Sequence, residues 1–115
     1  MLARVKAGDA FGVADLLSQG HAPDAERDAS GRTPLLWAAD AGDAELVALL
    51  LAAGAAVDAA DEDGGTPLLH AALCGHELAA RALLHAGADA WARDTEGCCA
   101  ADVRPAEWSD WWPTC

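Results

Sequence analysis

Four cysteines (Cys74, Cys98, Cys99 and Cys115) and four histidines (His21, His70, His76 and His85) are the side chains of this chain best suited to ligate a metal or act as nucleophile and base. Their spacing does not assemble that chemistry. A zinc site needs cysteine pairs two to four residues apart or a clear set of histidine partners, and neither is present. Adjacent Cys98 and Cys99 cannot easily give two ligands to one metal, nor readily bond to each other. Nucleophile-elbow, zincin and phosphate-loop motifs are all missing. The acidic run Asp58-Ala-Ala-Asp61-Glu62-Asp63 lacks the alternating ladder and terminal glutamate of a calcium loop. The expectation is a protein with no cofactor, no bound metal and no catalysis. A metal-binding or redox-sensing role for Cys74, Cys98 and Cys99 is the alternative from this residue set.

The elements that must position these residues follow from a periodicity. GRTPLLWAADAGDAELVALLLAAGA, from Gly31, returns 33 residues later as GGTPLLHAALCGHELAARALLHAGA, from Gly64. Self-similarity at a fixed period of this length marks an architecture of stacked repeats. Within each copy, Thr33 or Thr66 can cap a helix with its hydroxyl, and the proline that follows suits the first helical position, where no amide donor is needed. That helix should stop near Gly42 or Gly75, because glycine accepts the left-handed backbone that ends helices. A second helix is predicted from about Asp43 to Ala52 and from about His76 to His85, closed by Gly54 and Gly87. Helices this short are marginal alone and must bury an apolar face on a neighbour. Each buried leucine contributes about 1.5–3 kcal/mol, and alanine pairs allow close approach.

The T-P-L-x-x-A-A phrase, the mid-unit glycine, the Leu-Leu pair and the closing G-A resemble the ankyrin repeat, and the resemblance covers nearly the whole chain. It implies an all-α solenoid of helix-turn-helix units with short, projecting, β-hairpin-like fingers. The units divide as a partial N-terminal repeat (1–27), full repeats (28–60 and 61–93) and a decayed C-terminal repeat (94–115). Leu36 and Leu69 stand where the family carries a histidine after T-P-L. His70 comes one residue later, aligned with Trp37 and Val103, and is expected to pack between them. His76 matches the family's Gly-His phrase and helps start the second helix. Cys99 takes the capping threonine's place and reads as structural, while Cys74 ends a first helix facing the groove.

Composition narrows the class of function. At 115 residues the chain supports one small domain, close to the minimum of about three repeats for a self-standing solenoid. No run of apolar residues is long enough to span a membrane, and the opening residues lack the apolar core of a secretory signal, so a cytoplasmic or nuclear protein is expected. The net charge of −12 disfavours nucleic acid and favours a basic partner, besides keeping an alanine-rich stack in solution. The chain should act as a monomer.

The resemblance also implies where a partner would bind. Family contacts come mainly from finger tips and the inner face of the first helices. Carried across, these are Ala29, Ser30, Arg32, Asp40 and Ala41 in one unit, then Glu62, Asp63, Gly65, Leu73 and Cys74, then Thr95, Glu96 and Cys98, with Trp37 beside them. The charged positions among them are mainly acidic. The tail adds Trp108, Trp111 and Trp112 on one face of a helical turn, read as a lid on the last repeat or else as an exposed docking or dimer patch. The resulting expectation is a protein-protein interaction module, an adaptor or scaffold with an acidic concave face. A regulatory subunit or inhibitor of an enzyme remains the alternative within that frame.

Overall fold

The described residues of this computed structural model, 2–23 and 27–103, form three successive helix pairs. These are α1 (Leu2–Lys6) with α2 (Ala10–Ser18), α3 (Pro34–Ala41) with α4 (Ala44–Ala52), and α5 (Pro67–Cys74) with α6 (Glu77–His85). A 3-10 turn follows at Ala100–Asp102. The tryptophans of the tail (Trp108, Trp111, Trp112) lie outside the described residues.

The helix starts follow the local chemistry of the sequence. Thr33 and Thr66 are extended, and their hydroxyls accept the amides of Leu36 and Leu69 at 3.3 and 3.2 Å. Both threonines are buried, so water cannot substitute for these bonds. Gly42 and Gly75 end α3 and α5 in the left-handed conformation, each at φ 74°. Helices α4 and α6 begin one residue later than expected, since Asp43 and His76 are caps rather than helical residues. The Asp43 carboxylate accepts the Leu46 amide at 3.2 Å. At the N-terminal end the short α1 precedes α2, and Asp9 caps α2 through the Gly12 amide.

Stacking buries the leucine columns. Leu35 and Leu68 on the first helices, and Leu46, Leu50 and Leu83 on the second, are fully buried together with Ala38, Ala39, Ala71, Ala72, Ala79 and Ala80. The small alanines let α3 lie directly against α5, while α4 lies between α2 and α6. Leu36 and Leu69, which replace the expected histidines, are themselves 1% exposed. At those positions the chain has exchanged a polar side chain for core.

Between units the backbone reverses in three similar turns. Asp28, Asp61 and Asp94 donate their amides to the carbonyls of Arg32, Gly65 and Cys98 at 2.9–3.1 Å. Neighbouring turns join through Glu62 N–H to the Ser30 carbonyl (3.0 Å) and Thr95 N–H to the Asp63 carbonyl (2.8 Å). These fingers are hairpin-like in path, although no strand forms among the described residues.

Candidate functional site

Each finger is built around the aspartate that opens its unit. Oδ1 of Asp28 accepts the amides of Ser30 and Arg32, Oδ1 of Asp61 those of Asp63 and Gly65, and Oδ1 of Asp94 those of Glu96 and Cys98, at 2.9–3.0 Å. This is the local aspartate turn, in which a carboxylate replaces a backbone acceptor. The second oxygen reaches nine residues on. Trp37 Nε1 donates to Asp28 Oδ2 at 2.9 Å, and His70 Nε2 lies 3.1 Å from Asp61 Oδ2. Val103, nine residues after Asp94, has no side-chain donor to offer. These two bonds bridge the Thr-Pro turns, tying each finger to the first turn of its helix.

His70, expected to pack between Trp37 and Val103, makes polar contacts on both sides of its ring. Its side chain is 15% exposed and stands between two carboxylates, with Nδ1 3.6 Å from Asp40 Oδ1 on α3. The reason is the aspartate nine residues earlier, a partner that alignment with apolar neighbours does not reveal. Asp61 is the better buried of the pair, its side chain 7% exposed. Burial pushes its carboxyl upward, but the Gly65 amide, His70 and the Asp63 amide outweigh it and hold it below the usual carboxylate range. The acidic run thus divides by role. Asp61 is a structural acceptor, Asp58 takes the Asp89 amide at 3.0 Å, and Glu62 and Asp63 face solvent.

A cleft of about 250 Å³ opens between the fingers and the first helices. Arg32, Asp61, Asp63, His70, Leu73, Asp94, Thr95 and Glu96 line it, so four carboxylates face one guanidinium. Leu73 is 59% exposed at its edge, an apolar side chain set among acids. Asp40 and Cys74 adjoin one another, with the thiol 3.5 Å from the carboxylate. Desolvation first, and then the Asp40 charge, push the Cys74 thiol above its ordinary value, which disfavours the nucleophilic thiolate.

The residues expected to contact a partner thus fall into two sets. Arg32, Asp63, Leu73 and Glu96 share the cleft, with Asp40 and Cys74 beside it. Ser30, Ala41 and Glu62 are exposed outside its lining. Trp37 is half-buried and engaged: Asp28 takes its N–H, while Lys6 Nζ and the Arg32 guanidinium lie 4.5 and 5.4 Å from its ring. Asp61, His70 and Asp94 complete the site without having been singled out as contacts. The signal available for them was an aspartate opening each unit with a donor nine residues later.

Cys99 is fully buried and caps the 3-10 turn without a side-chain bond. The His76 ring reaches back to the Asp40 carbonyl at 3.0 Å, tying the start of α6 to the end of α3. Among the described residues, no group of three or more histidines, cysteines or carboxylates is arranged to hold a metal ion. Nor is any of their helices long and apolar enough to cross a membrane.

A family model described as ankyrin repeats, in three copies, matches residues 1–94. No curated protein matches the chain significantly.

Proposed function

The chain belongs to the ankyrin-repeat family, whose members generally mediate protein-protein interactions, and from that premise we propose that it is an adaptor that holds a partner with a basic surface in its acidic groove. The observation that carries this reading is the cleft between fingers and first helices. Its lining sets acidic residues of the second and third fingers beside the exposed Leu73. Such a site suits a lysine or arginine whose aliphatic stem lies on Leu73 while its charge meets Asp63 and Glu96. The acidic field also speeds the encounter, so the association rate should fall as salt is raised. In this reading the module acts as a monomer, with no cofactor and no reaction of its own.

The test is charge reversal. Replacing Asp40, Glu62, Asp63 and Glu96 with lysine should leave the helical content unchanged and abolish capture of the partner from native lysate. Equal capture by the variant would move the binding site off this face.

A further inference from the structure

His70 occupies a position that neither packing nor the finger turn fully explains. One ring nitrogen faces Asp61 at 3.1 Å and the other faces Asp40 at 3.6 Å, and both neighbours are acceptors. A neutral imidazole has one donor and one acceptor, so it can satisfy only one of them; the imidazolium can donate to Asp61 and at the same time pair in charge with Asp40. Asp40 belongs to α3 and Asp61 to the second finger, so the ring stands across the boundary between two repeats. The other charged groups around it are Arg32 on the first finger, Asp63 on the second, and Asp94 and Glu96 on the third. Cys74, one turn along α5, lies on Asp40, and His76 at the start of α6 holds the Asp40 carbonyl.

We propose that His70 is a proton-operated latch: its imidazolium ties Asp40 of one repeat to Asp61 of the next and makes the cleft less negative, whereas the neutral ring holds Asp61 alone. The latch adjusts the same cleft that receives the partner, and its consequence for binding rests on the basic-partner reading above. Protonation of the ring closes the latch and weakens the groove's hold on a cation; loss of the proton opens it. Histidine is the side chain whose charge ordinarily changes between about pH 5 and 8. One unit charge about 6 Å from a cation in a water-like medium alters affinity roughly threefold.

Two measurements on the full chain test this. The first follows the Asp40 side-chain carboxyl carbon by NMR from about pH 8 to 5, the interval over which histidine charges. Its resonance should move with the His70 ring in the native protein and lose that response in His70→Gln, which keeps a donor for Asp61 but cannot charge. An Asp40 signal that ignores His70 overturns the latch. The second titrates an oligo-arginine peptide onto both proteins at the two ends of that range. The native protein should bind about threefold more weakly at the acid end, and His70→Gln should lose that dependence. Identical pH dependence in the two proteins overturns the coupling to the cleft. Failure of the peptide to bind at any pH counts against the basic-partner reading, and the carboxyl response then decides the latch by itself.

Discussion

Replacing Asp61 with alanine removes three hydrogen bonds at once: the Asp63 amide at 3.0 Å, the Gly65 amide at 2.9 Å and the His70 ring at 3.1 Å. The side chain is 7% exposed, so little water can replace the lost acceptor. A hydrogen bond to a charged group contributes about 1.5–3 kcal/mol, and three around one carboxylate are not additive, which gives a loss of roughly 3 kcal/mol. Small domains are stable by about 5–15 kcal/mol, so this is a large fraction of the total. Asp63→Ala, two residues away and exposed, removes no comparable partner and should cost less than about 0.5 kcal/mol. Urea unfolding followed by circular dichroism compares the two, provided the slope with denaturant is unchanged. The sign with pH is also fixed. The Asp61 carboxyl lies below its ordinary value, so its contribution is present above the usual carboxylate range and disappears as pH falls through the lowered value. The gap between native protein and Asp61→Ala should therefore close below about pH 4. Equal stabilities for the two alanine variants at neutral pH would mean that the Asp61 bonds do not hold the finger.

Other outcomes follow from single sites. Gly42 and Gly75 share a left-handed backbone, but a Cβ on Gly42 would meet the His76 ring while one on Gly75 would meet nothing within 4 Å. Gly75→Ala should cost about 1 kcal/mol and Gly42→Ala distinctly more, a difference that thermal melts would show. Cys74 is exposed, yet desolvation and the Asp40 charge raise its thiol, so it should alkylate slowly for an exposed cysteine at mildly alkaline pH. Asp40→Asn should quicken that reaction, as peptide mass mapping of the labelled protein would reveal.

The parts of the fold legible in the sequence were those determined within a few residues. Thr33 caps three residues on and Gly42 closes its own helix, so helix positions emerged to within about one residue, the ordinary margin for such boundaries. The 33-residue register then placed the leucine columns, since stacking demands that equivalent residues meet equivalent neighbours. The anchor of each finger was harder to see. Asp61 and His70 are nine residues apart, a spacing that belongs to no helix or strand period, and only the folded turn brings them together. For the same reason the acidic run looked uniform in sequence. Burial separates Asp61 from its exposed neighbours, and burial depends on the α5 helix against which the finger closes. His76 shows the limit from the other side: its position as a helix start was legible, whereas its bond across to the Asp40 carbonyl depends on the stacking distance between repeats.

A partner held in the inner groove should leave a different mark from one held on the outer helices. A photo-cross-linking residue placed at Leu73, 59% exposed beside the cleft, can be compared with one at Phe11, 92% exposed on α2. Both positions are apolar and accessible, so only the location of the partner distinguishes them. Binding in the groove cross-links the partner to position 73 and not to position 11. Cross-linking at position 11 with none at position 73 would contradict it.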